Sequence, residues 1–451
     1  MQKSLIAALL AGVFLSPGAG AADLIQVYQQ ALANDAVYAS ARASEAAGKE
    51  RITQGKAALY PVIGASAGVT RSVSDTTSGV GQIIQNPDGT NTVINSSSVN
   101  YTAKQYEISL TQPLFRWDRW QTYQQSKLQQ AISEAQFAQA QQDLITRVAQ
   151  AYFDVLSAQD TLESTRSQKS AVTEQLASAK RNFEVGTQTI TDTHEAQAAY
   201  DLVISQEFAA SADLENKRSA LLAIVGGDTV ALAPLRPGVT LASPSPATIE
   251  PWLSAAQTQN YSVTVGELSV ESAKRDIERN RAGHLPTLDL TLSNGRNLRN
   301  GDISQTSRST GNAIGVSLNV PIFSGFAVTS RVRESIALED KARNDLESTR
   351  RNAVLGVRQA FLGVNSGLAQ VRALEAAEIS SQSALDSNKL GYQVGVRINI
   401  DVLNAQRQLF STQTDLARAR YNTIMSGLRL KAAAGSLRES DLVPVNALLV
   451  R

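Results

Sequence analysis

The chain has 451 residues, and its 42 Lys and Arg nearly cancel its 41 Asp and Glu, leaving a formal charge of +1. That balance gives no basic footprint for nucleic acid, and the lack of cysteine excludes both disulfides and a thiolate metal site. Aromatic residues make up only 5% while Ala, Gln and Ser are plentiful, a composition suited to long helices rather than a large greasy core.

The N-terminus reads as a signal peptide over residues 1–22. Lys3 supplies a short basic start, residues 5–15 an apolar run too short to span a bilayer, and Ala19, Gly20, Ala21 and Ala22 a small-residue cleavage site, cut after Ala21 or Ala22. No cysteine follows to carry a lipid. No later run reaches the roughly 18 apolar residues of a membrane helix, so the mature chain meets a membrane only as β-strands, if at all.

An internal duplication organises the rest. Gln112-Pro113-Leu114-Phe115 returns as Val320-Pro321-Ile322-Phe323, and Phe183-Glu184-Val185-Gly186 with Ile190-Thr191-Asp192 returns as Tyr392-Gln393-Val394-Gly395 with Asn399-Ile400-Asp401. These pairs keep one offset of about 209 positions, whereas Leu59-Tyr60-Pro61 and His284-Leu285-Pro286 stand about 225 apart. The difference is a length change in the loop between Pro61 and Pro113, where insertions cost little. The copies cover 23–225 and 252–435, separated by a Pro- and Gly-rich connector at 226–251 and followed by a tail at 436–451.

Each copy predicts a helix, a β-hairpin, a very long helix and a return helix. Residues 24–57 and 250–283 are Ala-rich and largely free of breakers, and each run ends just before Pro61 or Pro286. Strands are predicted at 60–72 with 104–115 and at 285–296 with 312–323. Leu288, Leu290 and Leu292 alternate with Thr287, Asp289 and Thr291, and Ile314, Val316 and Leu318 with Gly315, Ser317 and Asn319. That is the period of a strand with one apolar and one polar face. The tips at 73–103 and 297–311 are rich in Ser, Asn, Thr and Gly and read as long polar loops, as in outer-membrane barrels.

No proline or glycine interrupts 117–184, so this segment predicts one helix roughly 100 Å long. Ile145, Val148, Tyr152, Val155 and Leu162, and in the second copy Val354, Val357, Phe361, Val364, Leu368 and Val371, follow a coiled-coil seam that packs helices side by side. Return helices are expected at 188–225 and 398–434, after turns near Gly186 and Gly395.

Four strands cannot close a barrel, and open edges are not tolerated in lipid. Strands must therefore come from other chains. Two chains would supply eight and three would supply twelve; a duct wide enough for cargo favours three.

This order, with the motifs 283–291 (GHLPTLDLT), Phe183-x-Val185-Gly186, Ile190-Thr191-Asp192, Gly391-Tyr392-x-Val394-Gly395-x-Arg397, Asp401-Val402-Leu403 and Ala419-Arg420-Tyr421-Asn422, closely resembles the TolC family of outer-membrane export ducts. The resemblance implies an internally duplicated α+β membrane protein. A homotrimer would build a twelve-strand β-barrel in the outer membrane, four strands per chain, continued by a long periplasmic α-helical barrel. It also implies a periplasmic adaptor and an inner-membrane ABC or proton-driven transporter as partners, with outer-membrane lipid around the barrel and cargo of proteins, small molecules or both.

The same resemblance places a gate at the turns around 186–192 and 391–404. Tyr392 and Arg397 would bond to Thr191 and Asp192, and Asp401 from three chains would form an acidic constriction. A second acidic ring is expected one turn later, but Asn404 stands there, so cation selectivity should be weaker. Read without the resemblance, Thr189-x-x-Asp192 is a helix capping box, and Tyr392 and Arg397 are surface-turn residues.

Little else suggests chemistry. His194 and His284 have no partner at metal-ligand spacing and read as structural, and the sequence holds neither a phosphate-binding glycine loop nor a nucleophile–base arrangement. The expectation is a passive conduit without enzymatic activity or cofactor, powered by a partner. The competing readings are a periplasmic coiled-coil adaptor and a structural surface protein without transport activity.

Overall fold

The structure, a computed structural model, describes residues 21–227, 231–301 and 307–450. Nearly all of the expected signal peptide lies outside these residues. The chain divides into two compact units: Met1–Glu45 with Glu134–Val265 and Leu346–Arg451, and Ala46–Ser133 with Gly266–Asp345. Each unit takes segments from both sequence copies.

The first helical stretch of each copy is broken once, against the expectation of continuous helices. Helix α1 (Leu24–Asn34) stops at Asp35, whose backbone is extended and whose carboxylate accepts from Tyr38 N at 2.6 Å, so that α2 (Ala36–Ala57) starts afresh. In the second copy α5 (Glu250–Thr258) and α6 (Tyr261–Arg281) meet at Asn260, whose Oδ1 accepts from the amides of Ser262 and Val263. A short polar side chain captures the free amides of a new first turn in both places.

The second unit contains a four-stranded antiparallel sheet in the order β1-β2-β3-β4. Its strands are β1 (Val62–Gln85), β2 (Asn91–Phe115), β3 (Thr287–Gly301) and β4 (Ser307–Asn319). The polar segment 73–103 is not the long loop that its composition suggests. The β1–β2 ladder runs on to Gln85 and Asn91, and a tight turn with Gly89 at φ 81° closes it. Ser, Thr and Val are compatible with a strand, and cross-strand pairing satisfies backbone groups that a loop would leave to water. The tip of the second hairpin is shorter than expected for the same reason, with 302–306 outside the described residues.

Register sorts the two faces. Ile63, Leu110, Leu292 and Ile314 pair successively across all four strands, giving one apolar row, and Ala65 and Ile108 continue that face on β1 and β2. The opposite face carries Gly64, Ser109, Ser293 and Ala313, then Gly68, Gln105, Asn297 and Ser309. Strands β1 and β4 are both edges, and every residue of β4 is exposed, including Ile314, Val316 and Leu318.

Long helices begin in this unit and continue in the other. Helix α3 spans Trp117–Glu184 and α7 spans Ala327–Gln393, each without interruption. Close helix approach in the second unit depends on glycine: a Cβ on Gly48 or Gly55 of α2 would collide with Ser133 or Ser126 of α3.

In the first unit α4 (Ile190–Val225) and α8 (Asn399–Ala433) return along α3 and α7. The predicted seams are packing: Ile145, Val148, Tyr152, Val155, Leu162, Val357, Val364, Leu368 and Val371 are buried, while Val354 and Phe361 of the second seam are half-buried. The largest apolar cluster joins α1, α3, α4 and α8 to residues 232–233 and to the tail, where Leu437, Leu442 of α9 (Leu442–Asn446) and Leu449 are buried. Ala22 is part of it. Its amide donates to Ala231 O, its carbonyl accepts from Ala233 N, and Tyr152 Oη donates to the Ala22 and Ala233 carbonyls.

The motif at 419–422 is explained here. Tyr421 Oη donates to Asp160 Oδ2 at 2.5 Å and its ring packs on Phe153, while Arg420 bonds to Glu375. Burial pushes the Asp160 carboxyl above its ordinary pKa, partly offset by the Tyr421 hydroxyl. Among the described residues no helix is long and apolar enough to cross a membrane.

Candidate functional site

The motif residues of the two copies meet at the turns between α3 and α4 and between α7 and α8. Both turns close alike. Gly186 (φ 76°) and Gly395 (φ 79°) adopt the left-handed conformation, with Thr187 N donating to Asn182 O and Val396 N to Gly391 O. These six-to-one bonds satisfy carbonyls left free at a helix C-terminus, and only glycine takes such a φ without steric cost.

The helix starts that follow differ. Thr189 caps α4: its Oγ1 accepts from Asp192 N, and Asp192 Oδ2 accepts from Thr189 N at 3.1 Å and from Thr189 Oγ1 at 2.7 Å. At the equivalent position α8 has Ile398, which offers no side-chain cap. The carboxylate of Asp401 is thereby released from capping and faces Arg397, with Nη1 3.6 Å from Oδ2. The same acidic position is thus a cap in the first copy and a half-buried charge paired with Arg397 in the second.

The sequence-predicted residues are only partly brought together within one chain. Tyr392 does reach the first copy, but its Oη accepts from Gln188 Nε2 at 2.5 Å rather than bonding to Thr191 or Asp192. Arg397 does not meet Asp192, because the Asp192 carboxylate is held by Thr189 while the Arg397 stem lies over Gly391 and its head faces Asp401. Thr191 and Asn404 are exposed. His194 and His284 are exposed as well, and among the described residues no three His, Cys, Asp or Glu could hold a metal.

Asn399, which was not singled out from sequence, makes the most enclosed polar contact at these turns. It is fully buried (0% exposed), accepts from Gln175 Nε2 of α3 at 2.6 Å, and donates through Nδ2 to the backbone carbonyl of Asp192 at 3.0 Å. Around it Leu403 and Ile400 pack with Val172, Leu176, Ala179, Ala196 and Val203 of α3 and α4. On the other side of α8, Val402 and Leu409 pack with Leu385 and Tyr392 of α7. The first turns of α8 are therefore seated between α7 of their own copy and the α3–α4 pair of the other. The available signal was the repeat itself, which sets a polar Asn399 against the apolar Ile190.

With this geometry established, known proteins provide a comparison. The outer membrane efflux protein family matches the chain twice, over residues 27–227 and 252–436. The outer membrane protein TolC of Vibrio cholerae is 35% identical over 438 residues, covering 96% of this chain and 95% of that protein. The alkaline protease secretion protein AprF of Pseudomonas aeruginosa is 31% identical, covering 96% and 89%. Among solved structures, the CmeC outer membrane channel of Campylobacter jejuni superposes with a TM-score of 0.77 at 19% identity, covering 95% of this chain and 90% of that one, a likeness of fold.

Proposed function

We propose a gated, trimeric mode of action from the premise that this chain belongs to the outer membrane efflux protein family, the TolC family of export ducts. Its function is that of an outer-membrane channel-tunnel that extends into the periplasm and conducts export. It is a conduit and not an enzyme.

The observation carrying the assembly is the four-stranded sheet with two open edges and one apolar face. Backbone groups on an edge strand cannot remain unpaired in hydrocarbon. Pairing β1 of one chain with β4 of the next removes every edge, and three chains of four strands close twelve. The row Ile63, Leu110, Leu292 and Ile314 then faces lipid, and the Gly64, Ser109 and Ser293 face lines an aqueous lumen. Energy for transport comes from an inner-membrane ABC or proton-driven transporter, coupled through a periplasmic adaptor. The cargo is protein, small molecules or both.

The α3–α4 and α7–α8 turns form the periplasmic gate. Asp401 from three chains supplies an acidic constriction, weakened by Asn404 one turn on. Since Arg397 and Asp192 do not meet within one chain, their lock, with Thr191, bridges neighbouring chains. Exposed ion pairs contribute only about 0–1 kcal/mol each, so such a lock yields readily to partner docking. Asp192→Ala combined with Arg397→Ala is expected to raise single-channel conductance in planar bilayers. A double mutant with wild-type conductance would remove the lock assignment.

A further inference from the structure

The contacts of Asn399 point beyond the exposed charges. Here the two helix pairs of one chain are joined by a side chain with no access to water, through one bond received from α3 and one given to the first turn of α4. We infer that Asn399 is a positioning residue, an amide latch within each chain that holds the α7–α8 pair against the α3–α4 pair in the closed gate. The inference rests on the duct reading, and it assigns the resistance to opening to a different chemistry from that of Arg397 and Asp192.

The two contacts differ in exposure. Arg397 stands in solvent, 58% exposed, in the turn before α8, and its pair with Asp401 stays within the second copy, so it joins nothing across the two copies. Asn399 is enclosed by Leu403, Ile400 and the apolar face of α3 and α4. Separating α8 from α3 and α4 strips both of its hydrogen bonds and exposes those side chains together. Removing the amide would leave the Gln175 donor and the Asp192 carbonyl buried without a partner in the closed state, whereas in the open state both reach water, so its loss weighs against closure. The contact is also specific in geometry. The α8 amide takes the main-chain carbonyl of Asp192 rather than its carboxylate, so the latch survives removal of the Asp192 side chain. Gln188 with Tyr392 forms a second, less buried bond between the same two copies.

The latch and a merely structural asparagine predict different behaviour. Asn399→Leu keeps the branched shape and the number of side-chain heavy atoms and removes both bonds. Gln175→Met, at a half-buried site, removes only the donor from α3. Both variants and their combination are reconstituted as full-length oligomers in planar bilayers, with heat-modifiable oligomer gels reporting assembly. The latch predicts that each single variant shifts the closed-to-open equilibrium about tenfold or more toward the conducting state, and that the double variant adds little to Asn399→Leu because both remove the same bond. Assembled singles with wild-type conductance, or a double variant whose effects multiply, overturn the latch. Should Asn399→Leu fail to assemble, the milder Gln175→Met decides alone: raised conductance supports the latch and unchanged conductance overturns it. Failure of the wild-type protein to conduct would instead strike the duct reading.

Discussion

Asp35 and Arg147 illustrate how single side chains hold the first unit. Asp35, 4% exposed at the break between α1 and α2, receives a bidentate pair of 3.0 Å bonds from Arg147. Burial alone would raise the Asp35 carboxyl, but the Arg147 hydrogen bonds and the Tyr38 and Val37 amides outweigh it and hold its pKa below the ordinary value. A depressed folded-state pKa means stability present above the unfolded value, about 3.9, and lost as pH falls through the folded one. Arg147→Ala leaves a buried carboxylate unpaired and is expected to cost about 3 kcal/mol at neutral pH. Thermal melts followed by circular dichroism should show the deficit shrinking below about pH 4. A deficit independent of pH would mean that Arg147 contributes packing alone. At this scale the sequence was least legible. The capping role of Asp192 could be read from Thr189-x-x-Asp192, and the turn glycines from the repeat. Asn399 was hidden because no local rule assigns a partner to an amide whose bonds come from residues 224 and 207 positions away.

Elements were more legible, because their signals are periodic. The long helix at 117–184 follows from a run free of proline and glycine, and the seam along it from heptad spacing. The breaks at Asp35 and Asn260 escaped that pattern, since one capping side chain inside an Ala-rich run leaves the period nearly intact. The extension of the β1–β2 hairpin escaped for the opposite reason: Ser and Thr serve loops and strands equally, and only cross-strand pairing decides. The face assignment of the sheet is the element-scale claim with most at stake. Leu292→Arg, on the apolar row, should destabilise the inserted barrel by about 2–4 kcal/mol, as charges do at a lipid-facing midplane position. Thr291→Arg, one residue away on the polar face, should be tolerated, with urea titration of the oligomer in vesicles distinguishing the two. Equal losses would deny the sheet its two distinct environments.

For the whole molecule, the duplication explains both economy and asymmetry. Two copies of one helix–hairpin–helix plan supply the four strands and the paired long helices. The copies diverge where they start their return helices, with Thr189 and Ile190 in one and Ile398 and Asn399 in the other. That divergence frees the Asp401 carboxylate and plants a buried amide between the helix pairs. The family matches span both copies, so membership and an export role rest on nearly the whole chain. The proposed closure by three chains is the central physical step, since pairing the β1 and β4 edges between chains would leave none exposed to lipid and twelve strands would enclose a lumen. Native mass spectrometry of the detergent-extracted outer-membrane protein tests it directly. Three copies of the mature chain, resistant to dissociation until heated, are the predicted result; a stable monomer or dimer would contradict the account.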